Sequence, residues 1–101
     1  MSFKKQSVRQ LEKHIRHVAL DTSTVLITDH ARVSMRKRHV LDAEVYECLR
    51  KGKIHMTPEE DMKTGHLVCR MECYGPSRNL AVVTALEDGA LSVIVVTVIV
   101  N

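Results

Sequence analysis

The apolar residues of this 101-residue chain change their period near residue 52, and that change sets the fold class. Ahead of it they recur at three- and four-residue spacing: Val8, Leu11, Ile15 and Val18 in one segment, Val45, Cys48 and Leu49 in another. Such spacing gathers side chains on one face of a helix. Behind it, Leu67, Cys69, Met71 and Cys73 take every second position, and the run 90–100 is apolar almost throughout. Alternation marks a half-buried strand, and a continuous apolar run marks a central one. Helices followed by strands on short turns predict an α+β fold, with the N-terminal helices packed on one face of an antiparallel sheet.

Turn and cap residues place the elements. Helices are expected over 7–20, from Thr28 or Asp29 to about His39, and over 43–51 with Asp42 as cap. Gly52 is the expected stop of the third helix. Residues 24–27 read either as a short strand or as the lead-in to the second helix. Strands are expected over 66–74, 79–86 and 90–100, with Glu87-Asp88-Gly89 as a hairpin signal. A further edge strand over 54–56 gives three to four strands in all. Pro58-Glu59-Glu60-Asp61 reads as a solvated loop. The length fits one domain, 1–101.

Three cysteines, Cys48, Cys69 and Cys73, are an odd number without a Cys-x-x-Cys pair. That is no disulfide framework, and same-face cysteines on a strand read as core residues. No apolar run follows the charged N-terminus to form a signal segment, and 93–100 is too short to span a bilayer as a helix. A cytoplasmic location with no membrane partner is the resulting expectation. With no Trp and only Phe3, Tyr46 and Tyr74, stacking of successive bases on aromatic rings is disfavoured.

The formal net charge of +3 is unevenly spread. Residues 1–53 hold twelve Lys/Arg against six Asp/Glu, and residues 54–101 hold three against six. A positive front half suits phosphate-bearing or acidic partners. The charge is densest in Thr28-Asp29-His30-Ala31-Arg32-Val33-Ser34-Met35-Arg36-Lys37-Arg38-His39. Arg offers a permanently charged planar fork to phosphate oxygens, and His moves protons near neutral pH. Together they supply what metal-independent RNA cleavage needs: a base for the 2′-hydroxyl, an acid for the leaving oxygen, and cations on the phosphorane. The competing reading is a solvated helix face whose long stems cover the core. Arg70 is the one cation in mid-strand, either facing solvent or looking into a cleft between sheet and helices. His14 and His17 stand at i, i+3, a metal-compatible spacing without an evident third ligand. Thr84 and Thr97 read as hydroxyls bonded within the sheet. No metal or cofactor is expected.

The run Ile27-Thr28-Asp29-His30-Ala31-Arg32 with Met35 and Arg38, then Asp42-x2-Val45, Leu49-x2-Gly52, Asp88-Gly89 and Val95-Val96-Thr97-Val98, resembles the DUF4258 family of small bacterial proteins. The resemblance covers roughly 25–100, which leaves 1–24 as an N-terminal helical extension. It implies a fold similar to the RelE/ParE toxins and the barnase-like ribonuclease group. It also implies a toxin of a toxin–antitoxin pair, acting as an endoribonuclease on RNA, free or on the ribosome, and neutralised by a cognate antitoxin protein. On that reading His30 is general acid or base, and Arg38 and Arg70 stabilise the phosphorane. Arg32, Arg36 and Lys37 hold flanking phosphates. The alternative is a non-enzymatic nucleic-acid- or protein-binding module, since the fold also hosts gyrase inhibitors that cleave nothing. Homodimer formation is compatible with either.

Overall fold

A computed structural model describes residues 2–101. The first helix, α1 (Val8–Val18), starts at Ser7, whose hydroxyl accepts from the Gln10 amide at 3.2 Å while the Gln10 side chain accepts from the Ser7 amide at 2.8 Å. This reciprocal box satisfies two amides that a helix start leaves without partners. Leu11, Ile15 and Val18 are buried along its inner stripe. The second helix, α2 (Asp29–Arg38), is capped by Thr28, whose hydroxyl accepts from Ala31 N at 3.2 Å and donates to Val95 O at 2.9 Å. It ends at His39, held in the left-handed region at φ 56°, while Val40 N returns to Met35 O at 2.9 Å. That is a Schellman-type close, built here on a residue other than glycine.

The third helix, α3 (Asp42–Lys51), starts one residue earlier than its sequence suggests. Leu41 is the cap, and its amide donates to Glu44 Oε1 at 3.0 Å, so Asp42 is the first helical residue. Gly52 ends α3 with φ −73°, a value open to any residue. Space is what demands glycine here: a Cβ would lie 2.5 Å from Cys48 O and 2.8 Å from Glu72 O.

The strands are β1 (Val25–Ile27), β2 (Lys53–Ile54), β3 (Glu59–Glu60), β4 (Leu67–Tyr74), β5 (Asn79–Leu86) and β6 (Val93–Val100). They form one six-stranded sheet in the order β1-β6-β5-β4-β2, with β3 also on β4. The expected three- to four-stranded antiparallel sheet is therefore corrected to a larger, mixed one. β1 pairs parallel to β6, a long-range pairing that no local turn announces. Glu59 and Glu60, read as loop, pair with Val68 and Leu67. Two exposed carboxylates suit an edge, where side chains meet water and discourage further strand addition.

Cross-strand register sorts the two faces. Leu67, Cys69, Met71, Leu80, Val82, Leu86, Val93, Val95 and Val98 are buried with Leu11, Ile15, Val45, Cys48 and Leu49 in one cluster. Between Val95 and Thr97 the register against β5 slips by one residue, so Thr84 faces Val95 while Val83 faces Thr97. The extra residue, Val96, forms a bulge that keeps both Val95 and Val98 on the core side. Thr84 is buried and donates to Cys69 O at 2.9 Å, the sheet hydroxyl its position suggested. The three cysteines are free, with Cys48 and Cys69 buried. Burial pushes the Cys48 thiol up to about 12 and the Cys69 thiol up to about 11, as befits inert core residues.

Candidate functional site

α1 and α3 cover one face of the sheet. α2 runs along the half of β6 that β1 leaves unpaired, and among the described residues neither α1 nor α3 covers the opposite face of the sheet. On this open face the pairings Arg70↔Val83 and Val83↔Thr97 set three side chains in a row across β4, β5 and β6. The row continues into α2, where the Ser34 hydroxyl meets the Thr97 hydroxyl at 3.1 Å. Ser34 also donates to His30 O at 3.2 Å.

The helical period then divides the charged residues of α2 between two flanks. His30, Ser34 and Arg38 follow one another at i+4 and share a face with Lys37, toward the open side of the sheet. His30, Lys37 and Arg38 are exposed, and their side chains have no ion pair with any carboxylate among the described residues. Arg32 lies on the other flank, where it pairs with Asp42 at 2.6 Å, and Arg36 stands one turn beyond it. The six candidates thus fall into two groups: His30, Lys37 and Arg38 beside the open face with Arg70 on it, and Arg32 and Arg36 turned toward α3.

Arg70 is neither a plain solvent-facing residue nor a residue between sheet and helices. It lies on the face away from α1 and α3, in a cavity of about 180 Å³ lined by Met56, Thr57, Glu59, Val68 and Val83. Its Nε is buried without a hydrogen-bond partner, because Glu72 Oε1 stands at 3.7 Å, near enough to attract but too far to bond. The side chain thus stands over the sheet partly exposed, beside the Glu72 carboxylate. The cavity includes no residue of α2, and Arg70 and Thr97 stand two strands apart, about 10 Å between backbones. His30 and Arg70 accordingly face one surface without sharing one pocket.

Two features escaped sequence reading. Thr97, read as a hydroxyl bonded within the sheet, instead meets Ser34 and joins α2 to the open face, and the only signal was that both are small hydroxyls near the His30 motif and in the Val-rich strand. Arg78, in the turn between β4 and β5, grips the α2–α3 junction. It donates to Arg38 O at 3.0 Å and His39 O at 2.8 Å and pairs with Glu44 at 2.7 Å. The arginine bond and the Leu41 amide hold the Glu44 carboxyl below the usual carboxylate range. Among the described residues, no group of three or more His, Cys, Asp or Glu side chains comes together as a metal site. Nor is any helix there long and apolar enough to cross a membrane.

The model of a domain of unknown function, DUF4258, matches residues 27–100, from the last residue of β1 to the last of β6. The chain belongs to the DUF4258 family. No curated protein and no solved structure matches it, so the likeness to RelE and ParE toxins has no named relative behind it. The DUF4258 match takes in α2, Arg70 and the open face of β4, β5 and β6, and leaves α1 outside.

Proposed function

We propose that the open face of the sheet is the working surface of an endoribonuclease-type toxin that cleaves RNA without metal. The observation that carries this reading is the row from Arg70 through Val83 and Thr97 to Ser34, which sets a partly exposed cation and the exposed His30 flank of α2 on the same surface. A phosphate seated over Val83 lies between them. His30 takes the 2′-hydroxyl proton, the 2′-oxygen attacks phosphorus, and the P–O5′ bond breaks. The products are a 2′,3′-cyclic phosphate and a 5′-hydroxyl, whose oxygen takes its proton from solvent water while His30 keeps the proton lost by the 2′-hydroxyl. Arg70 stabilises the equatorial oxygens, and such preorganised charge contributes about 2.7–4 kcal/mol when one donor is removed. Arg38 and Lys37 hold the strand along α2. Arg36 and Arg32 extend the phosphate contacts around the helix, Arg32 least, because Asp42 already engages it. A cognate antitoxin protein would cover this face to silence it.

The test is to express the wild type and the His30→Ala, Arg38→Ala and Arg70→Ala forms, follow growth and total RNA, and repeat the cleavage in EDTA. Expected are growth arrest and RNA breakdown in EDTA for the wild type, with losses of about 100-fold or more in rate for His30→Ala and Arg70→Ala. Undiminished activity in both variants would remove the site assignment, and an inert wild type would remove the class.

A second reading is a binding module of the same fold that cleaves nothing. The observation favouring it is that the Arg70 cavity includes no residue of α2, so acid–base and phosphate groups do not converge in one pocket. It predicts RNA or protein binding that depends on Arg70 with no turnover.

A further inference from the structure

α1 lies outside the DUF4258 match yet is fully built into the fold, with Leu11 and Ile15 in the core. Its outer flank carries Arg9, Lys13 and Arg16 at i, i+4 and i+7, positions that share a side of a helix. That flank faces β2, and together with Glu12 and Lys53 it lines a cleft of about 460 Å³. Glu12 is the single carboxylate there, and its Oε2 accepts the Ile54 amide at 2.7 Å, which ties it to the β2 backbone. Arg16 donates to Gly52 O from Nε at 3.2 Å and from a terminal nitrogen at 2.7 Å, which fixes its charge at the rim. Arg9, Lys13 and Lys53 have no ion pair among the described residues.

Solvated helix faces intersperse charges of both signs. Here four cations from two elements converge on one cleft against one engaged carboxylate, an arrangement that an anion relieves. The row from Arg9 to Arg16 extends about 10 Å along the helix axis, longer than a single phosphate. None of the five lining residues is apolar or aromatic. An acidic peptide finds no pocket for the aromatic or aliphatic anchors on which protein interfaces depend. A phosphodiester backbone needs none, because it binds by charge and counterion release. We propose that the cleft between α1 and β2 binds the phosphate backbone of a nucleic-acid strand, with Arg9, Lys13 and Lys53 as phosphate contacts and Arg16 as a fixed positive rim. This site stands apart from the open face and requires no cleavage.

The experiment is an anisotropy titration of the full-length protein with a fluorescent single-stranded oligonucleotide across a sodium chloride series. The triple variant Arg9→Gln/Lys13→Gln/Lys53→Gln removes exposed groups only. It is expected to weaken binding about tenfold or more and to reduce the slope of log K against log salt by about 2, at roughly 0.7 per phosphate on a single strand. A charge-matched variant, Lys5→Gln/Lys51→Gln/Lys63→Gln, is expected to keep the wild-type slope. An equal loss of slope in both triples would overturn the site, since net charge alone would then account for binding. Displacement of the oligonucleotide by inorganic phosphate at matched ionic strength would overturn the strand in favour of a small anion. Equal displacement by polyglutamate would overturn it in favour of an acidic polypeptide. The cleft triple is expected to keep the RNA cleavage assigned to the open face, so failure of this site (no loss of slope) and failure of the open-face reading (no cleavage) are separately visible. Thermal melting monitored by circular dichroism confirms that each variant is folded.

Discussion

His14 shows how one residue can be legible in type and not in role. Its spacing to His17 is compatible with a metal, but among the described residues no third ligand joins the pair. The His14 ring turns inward against Phe3, with centroids 4.7 Å apart, and its Nε2 is buried without a hydrogen-bond partner. Burial first, and the neighbouring His17 second, hold its pKa below the ordinary histidine value. The unfolded chain therefore binds a proton more readily than the folded one, so stability rises with pH through this window and is lost as pH falls below about 6.5. Denaturant melts between about pH 7 and pH 5 should show this loss, and His14→Leu should flatten it. An unchanged slope in the variant would assign the acid sensitivity elsewhere. The pattern also holds at the site. His30, Arg38 and Arg70 stand out in the sequence as the right kinds of group, but their relative placement depends on strand register, which is a property of pairings far apart in the chain.

Elements were most legible where their contacts are local. α1 announced itself through a strict apolar stripe, and β5 fell within its expected bounds because turn residues flank it on both sides. α2 is different: only Ala31 and Met35 are buried along it, so its orientation is not written in a stripe. It is set instead by tertiary polar contacts, Thr28 to Val95 at its start and Arg78 to Arg38 and His39 at its end. Arg78→Ala should lower stability by about 2 kcal/mol, since it strips charged donors from two helix-end carbonyls and leaves Glu44 unpaired. It should also raise hydrogen exchange in the last turn of α2. Arg78→Lys should recover little, because an ammonium cannot span carbonyls and carboxylate as the guanidinium fork does. If the alanine form matches the wild type in both readouts, the latch does not position α2. β3 stayed hidden for the opposite reason, being a pair of glutamates whose only strand property is the edge they pair with.

For the whole molecule, the boundary of the family match and the boundary of the folding unit differ. The match begins at residue 27, but α1 supplies Leu11 and Ile15 to the common core, donates from Arg16 to Gly52 O and accepts at Glu12 from the Ile54 amide. Losing either side chain alone costs about 2–5 kcal/mol, and a domain of this size holds only about 5–15 kcal/mol in total. A chain beginning at residue 21 should therefore lose its cooperative thermal transition, which circular dichroism would detect directly. A cooperative melt in the truncated chain would make α1 an appendage. The layered α+β arrangement was legible from the switch in apolar period, and a short strand was one of two readings of 24–27, whereas the parallel pairing of β1 and the count of six strands were not legible, because both are closed by long-range pairing. The strand lengths carry a last consequence. β4, β5 and β6 have eight residues each, while β1, β2 and β3 at the margins have three, two and two. The Val-Ile-Val-Val-Thr-Val-Ile-Val segment of β6 has the composition of a self-associating cross-β core. Flanked by β5 on one side and by β1 and α2 on the other, it offers no neighbouring molecule a long free ladder of amides and carbonyls, so the stubby margins act as guards against fibrillar assembly.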